Sequence, residues 1–223
     1  RLRVSQLVVS TALVYFRRFF FHCSILDWDP LLLAPTSLYL ASKVEERALS
    51  VNAIIREMHK LRETAYEAAQ VLETEYVLLE NVLQAGHVLK VCHPFQQLSN
   101  LLRHVLAAEF AEGEQERAAG LGQAAFALLN DCYRTDVILA HTPDAIALTC
   151  VHVAGALMAV PTEQHLPEPD ERIATELWAL FDQCSRLGPK ESTAVDERLC
   201  AHWVVARCAR GAAVTSADAL TVA

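Results

Sequence analysis

Residues Ala12–Ala41 recur without a gap as Ala125–Ala154, 113 positions further along the chain. Ile25-Leu26 falls on Ile138-Leu139, Leu33-Ala34 on Ile146-Ala147, Leu38 on Val151 and Leu40-Ala41 on Val153-Ala154. Asp29-Pro30 falls on Thr142-Pro143, and Phe20 faces Tyr133. The apolar positions keep their register across two helices and the link between them. A shared register implies a shared packing solution, so one helical module is used twice. A unit of over a hundred residues can bury a core of its own, which favours two small domains over a stacked solenoid.

Seven glycines in 223 residues leave few positions suited to tight hairpins, and no strand alternation is found. The pattern is all-α. A first helix spans about 2–21. Asp29 as N-cap and Pro30 at the first helical position open a second, apolar nearly all round, from Leu31 to Glu46, with Pro35 expected to bend it. Ser50 can cap a third over 51–61, and Thr64 can start a fourth that runs to Gln84. Further helices are expected near 95–111, 116–134, 143–160, 171–187 and 192–209, with Pro161–Pro169 as a loop and Gly188-Pro189 as a stop. The expected domains are 1–90 and 91–210, followed by a frayed tail over 211–223.

The formal charge of −8 is uneven: residues 1–100 balance ten cations with ten anions, whereas 101–223 hold nine against seventeen. An acidic second half argues against direct binding to nucleic acid. Ala145–Val160, the longest nearly apolar run, is short for a membrane span and reads as a buried helix. Seven cysteines, odd in number and without a CxxC pair, suggest reduced and mostly buried thiols in an intracellular protein. The chain opens at Arg1 without an initiating Met, inside what reads as a helix, so the absence of a targeting segment from it means little.

Catalytic and metal signatures do not emerge. There is no glycine-rich phosphate loop, no GxSxG and no HExxH. Cys150 and His152 stand two apart on one helix and point in different directions, while His22-Cys23 and Cys92-His93 read as packing or capping pairs. No cofactor and no metal are implied. Two charges stand out instead. Glu75 interrupts the apolar row Val71, Leu78, Val82, beside a second row of Leu72, Tyr76, Leu79 and Leu83. An unpaired buried carboxylate would cost several kcal/mol, so either solvent reaches it or a partner supplies donors. Lys43 lies near the end of the apolar second helix, where the helix dipole favours a cation and snorkelling is possible, and Glu45-Glu46 follow it at the end that disfavours acids.

The run from Ala34 through Glu46, with its Ala-Ser-Lys-Val-Glu-Glu ending, resembles the signature of the cyclin box. Asn130-Asp131-Cys132-Tyr133-Arg134-Thr135-Asp136 is similar to the matching region of the second box in C-type transcriptional cyclins, as are Val14–Phe19 and His93-Pro94-Phe95. Similarity extends to about residue 160. The resemblance implies tandem cyclin boxes, two bundles of about five helices, with the family's N-terminal helix and the first helix of box one missing from this chain. It implies a non-catalytic subunit that activates a cyclin-dependent kinase in RNA polymerase II transcription. It further implies other subunits of the Mediator kinase module as partners, and a nuclear location. By motif, Lys43 and Glu75 grip the kinase near its movable αC helix, with Val44 and Leu79 as apolar contacts. Residues 47–63 are shorter and Gln84–Cys92 slightly longer than in familiar C-type members, and Leu7 and Val14 are expected on a face left uncovered. Alternatives are a scaffold of the same fold without activation, or a box-pair protein similar to transcription factor IIB.

Overall fold

The computed structural model describes residues 2, 4–62, 66–84, 86, 88–110 and 114–186. The expected helix over 192–209, the Gly188-Pro189 stop, the tail and the Thr64 start lie outside these residues. The described chain forms two compact units, one ending at Val91 and one over Cys92–Arg186. Its regular elements are all helical.

The first unit holds α1 (Gln6–His22), α2 (Pro30–Val44), α3 (Val51–Arg62) and α4 (Ala68–Gln84). Helix α1 starts later than the apolar pattern suggests, because the Ser5 hydroxyl accepts a hydrogen bond from the Val8 N–H at 3.5 Å and so acts as the cap. Asp29 caps α2: one carboxylate oxygen accepts from the Leu31 N–H at 2.9 Å, and the other accepts from the Tyr66 hydroxyl. That second bond draws the chain ahead of α4 back onto the start of α2, which fits α4 beginning at Ala68. Helix α2 packs on α1 and α4. Val8, Ala12, Tyr15 and Phe19 from α1 meet Leu33, Leu40 and Ala41 from α2, and Leu78 and Val82 from α4. Pro35 is accommodated inside α2 and buried there. Val14, expected on an uncovered face, is buried, and only Leu7 of that pair is exposed.

The second unit holds α5 (Phe95–Glu109), α6 (Gln115–Cys132), the single turn α7 (Val137–Ala140), α8 (Pro143–Met158), a 3-10 turn (Thr162–Gln164) and α9 (Glu171–Arg186). Helix α8 is its centre and packs on α5, α6 and α9. It is buried along most of its length, from Ile146 to Gly155. Among the described residues no helix is long and apolar enough to cross a membrane. The turn α7 was not evident from the sequence.

The repeat reaches individual hydrogen bonds, some of them made by different residue types. Thr142 caps α8 as Asp29 caps α2, accepting from the Ala145 N–H at 3.4 Å. Thr36 donates to the Leu32 carbonyl at 2.8 Å, and Thr149 donates to the Ala145 carbonyl at 2.9 Å. Both central helices end in the same Schellman motif. In α2, Arg47 N–H bonds the Ser42 carbonyl at 2.8 Å and Glu46 N–H bonds the Lys43 carbonyl at 3.2 Å. In α8, Val160 N–H bonds the Gly155 carbonyl at 2.8 Å and Ala159 N–H bonds the Ala156 carbonyl at 3.4 Å. The left-handed position is Glu46 (φ 54°) in one and Ala159 (φ 52°) in the other, neither of them glycine.

The cysteines whose side chains are described are free: Cys132 and Cys150 are buried, Cys23 is half-buried and Cys92 is exposed, so burial holds for only some of them. The Cys132 and Cys150 sulfurs touch at 3.7 Å, and this contact together with burial pushes the Cys150 thiol far above its usual range. His152 turns the other way. Its Nε2 lies 2.8 Å from the Pro167 carbonyl, which can only accept, so Nε2 donates there, and Nδ1 hydrogen-bonds with the Thr162 hydroxyl at 3.0 Å. Cys23 donates to Asn81, and His93 bonds the Tyr133 hydroxyl at 2.6 Å, which are packing roles.

Candidate functional site

Glu75 stands where the apolar row of α4 leads it, between Val71 and Leu78 on the buried side of the helix. Its side chain is only 8% exposed. A carboxylate held there needs a cation, and Lys43 near the end of α2 supplies it as a direct ion pair with Glu75 Oε1. That oxygen has no hydrogen-bond partner among the described residues, so the contact with Lys43 is one of charge. Neither solvent nor a foreign chain is required to balance the charge, because the cation comes from an earlier helix of the same chain. Lys43 remains 41% exposed, so the pair is sealed on the acid side and open on the base side. Its ammonium also lies 4.6 Å from the centre of the Tyr39 ring, one turn back along α2.

The two apolar residues expected beside this pair are at the rim of the same core. Val44 and Leu79 are both half-buried and pack against the cluster formed by α1, α2 and α4. The second row of α4 faces outward, with Leu72, Tyr76 and Leu83 exposed. All four residues singled out from the sequence therefore lie in one region of the first unit, where α2 ends against α4.

The end of α2 is fixed by side chains that the sequence reading did not single out. The Ser42 hydroxyl donates to the Tyr39 carbonyl at 2.7 Å and accepts from the Leu49 N–H at 3.1 Å, which folds the following segment back. Thr11 on α1 donates to Glu45 Oε1 at 2.6 Å, so the first of the two acids beyond Lys43 is held by a neighbouring helix. Glu46 occupies the left-handed cap, which ends α2 at Val44 and not at Glu46. The Tyr15 hydroxyl, one turn along α1, donates to the Leu89 carbonyl, and Arg18 donates to the Val88 carbonyl at 3.1 Å. Burial, then the negative charge of Glu45, push the Tyr15 phenol up to about 12, partly offset by Arg18. Burial lowers the Arg18 guanidinium. The spacing of Thr11, Tyr15 and Arg18 on one face of α1 was visible in the sequence, but their acceptors lie at distant positions.

Residues 1–84 match the family model of the cyclin N-terminal domain. Cyclin-C1-1 of Oryza sativa subsp. japonica is 35% identical over 161 residues, which is 70% of this chain and 57% of that protein. Cyclin-C of Rattus norvegicus is 34% identical over 178 residues, 75% of this chain and 59% of that protein. The chain thus spans somewhat over half the length of the curated relatives it matches. In solved structures, a chain of the CAK complex of Chaetomium thermophilum bound to ATP-γ-S superposes with a TM-score of 0.61 at 21% identity, covering 98% of this chain and 65% of that one. A chain of the yeast TFIIK complex (Kin28/Ccl1/Tfb3) gives 0.55 at 20% identity, covering 82% of this chain and 76% of that one. These two likenesses are of fold. The matched family model and the C-type relatives make this chain a member of the cyclin superfamily, similar to the C-type cyclins.

Proposed function

We propose that this chain is the non-catalytic regulatory subunit of a cyclin-dependent kinase acting in RNA polymerase II transcription, of the Mediator kinase-module type, and that it works in the nucleus. The observation that carries this reading is the Lys43–Glu75 ion pair, assembled by the Ala-Ser-Lys-Val-Glu-Glu end of α2 against α4 and flanked by Val44 and Leu79. The C-type relatives support the partner class. So do the two structural neighbours, which come from complexes named for kinase assemblies.

The mechanism is a population shift. A kinase transfers phosphate only when its β3 lysine and αC glutamate are paired. A surface that binds the αC-in state in preference to the αC-out state moves the equilibrium by its differential affinity and no more. Taking a kinase from about 1% to about 99% active needs roughly 5.5 kcal/mol. The exposed side of Lys43, the rim residues Val44 and Leu79 and the outward row Leu72, Tyr76 and Leu83 offer a polar anchor within an apolar surface suited to that task.

The test is a charge swap with a Mediator-associated C-type kinase. Lys43→Glu sets two carboxylates against each other, and Glu75→Lys sets two ammonium groups together. Each single variant should abolish kinase activation. Each should also cost about 1–3 kcal/mol of stability, less than a fully buried pair because Lys43 reaches solvent. The double variant rebuilds the pair with reversed polarity, so it should recover stability without recovering activation. Activation by both single variants at the concentration of the unmodified chain would overturn the reading. Binding without activation by the unmodified chain would leave a scaffold.

A further inference from the structure

We infer that Tyr39 is a positioning residue for Lys43, holding its ammonium in the pose offered to the kinase; this rests on the reading of Lys43 as a kinase contact. Tyr39 and Lys43 are four positions apart on α2 and so share a face. The ammonium lies 4.6 Å from the ring centre, within the range of a cation–π contact. It has three N–H donors. Glu75 holds the group by charge from the buried side, and the ring of Tyr39 lies against it from another direction, so the exposed part of the group is left with a restricted orientation. A free lysine has a long, rotatable stem, and ordering it at the moment of binding weakens association. A lysine already clamped between a carboxylate and a ring avoids that loss.

The fold does not demand this arrangement. At the positions of the second unit that the repeat brings into register, the ring is His152, turned to Thr162 and Pro167, and the lysine is replaced by Ala156. Among the described residues, the pairing seen between Tyr39 and Lys43 is not repeated at the matching positions of the second unit.

The experiment measures affinity for the Mediator-associated C-type kinase by calorimetry across a series at position 39. Tyr39→Phe should bind within twofold of the unmodified chain, and Tyr39→Leu should lose about two- to fivefold. Phenylalanines carrying one, two and three ring fluorines keep the shape while draining the ring face of charge, and affinity should fall stepwise with them. In the free chain, the Lys43 ε-methylene protons should resonate upfield with an aromatic at 39 and return to the ordinary position in Tyr39→Leu. Undiminished affinity in Tyr39→Leu, with Lys43→Glu still inactive, overturns the inference and leaves the kinase reading standing. A loss in Tyr39→Leu with no response to fluorination overturns it too, since the ring would then act by bulk alone. If neither Tyr39→Leu nor Lys43→Glu alters binding, the kinase reading itself falls.

Discussion

The end of α2 reads Ser42-Lys43-Val44-Glu45-Glu46, and the end of α8 reads Gly155-Ala156-Leu157-Met158-Ala159. Around both, the backbone makes the same pair of Schellman bonds and sends one non-glycine residue into the left-handed region. What differs is what the side chains do. In the first unit the segment is polar and tied on both sides: Lys43 to Glu75, Glu45 to Thr11, Ser42 to Leu49. In the second it is exposed and apolar from Ala156 to Ala159, and the 3-10 turn lies so close over Gly155 that a side chain there would clash with it. A duplicated scaffold can thus keep its helix ends while one copy carries a charged site and the other a plain closure.

If the two units share one packing solution, equivalent core truncations should cost equivalent energy. Leu33 and Ile146 occupy matching positions of the repeat, and both are buried in the central helices. Leu33→Ala and Ile146→Ala should each destabilise their unit by about 2–5 kcal/mol. Urea titration followed by hydrogen exchange of α2 and α8 would read each unit separately. One truncation costing more than twice the other would break the equivalence.

The contrast sharpens at the position four before each left-handed residue. A Cβ on Gly155 would stand 2.5 Å from Thr162 Cγ2 and 3.0 Å from the Val160 carbonyl oxygen. Gly155→Ala should therefore cost about 1–3 kcal/mol through overpacking against the Thr162 side chain and the Val160 carbonyl. At the matching Ser42 a side chain is already accommodated, and Ser42→Ala should cost only about 1 kcal/mol, the loss of the Leu49 bond. Thermal denaturation of the two variants separates these mechanisms: a larger cost for Ser42→Ala than for Gly155→Ala would contradict them.

Smaller effects of opposite sign are expected at the caps. Glu46→Gly and Ala159→Gly should each stabilise by up to about 1 kcal/mol, because a Cβ is unfavourable in the left-handed region. A gain at only one of them would show that the two motifs are not energetically alike. The last contrast is in pH. Tyr15 has no ionisable counterpart in the second unit, where Leu128 stands at the matching position. Its folded phenol is raised above the unfolded value, so its stabilising effect is complete below pH 10 and is lost as pH rises through about 12. The first unit should weaken across that window, and Tyr15→Phe should flatten the change; an unchanged profile in Tyr15→Phe would assign the loss to other groups.

Much of the scaffold was legible from spacing alone. Asp29-Pro30 and Thr142-Pro143 announce helix starts because a side-chain acceptor and a fixed φ act within one turn. The row Val71, Glu75, Leu78, Val82 placed Glu75 within an apolar stripe because helical periodicity puts all four on one face. Less was legible where an outcome depends on contacts between distant segments. The start of α1 at Gln6, the burial of Val14 and the late start of α4 near the Tyr66–Asp29 bond all turn on partners that a local pattern does not name.

Chain order and residue type determined that this molecule is helical, that its module is used twice in one register, and that one acid would have to be reconciled with an apolar face. Only the tertiary structure decided how that acid is reconciled. Lys43 and Glu75 belong to different helices, and neither helix specifies the other's angle or depth. Their meeting is set by the summed packing of α2 against α1 and α4, and that sum fixes which cation reaches the buried carboxylate and which of its sides is left facing solvent.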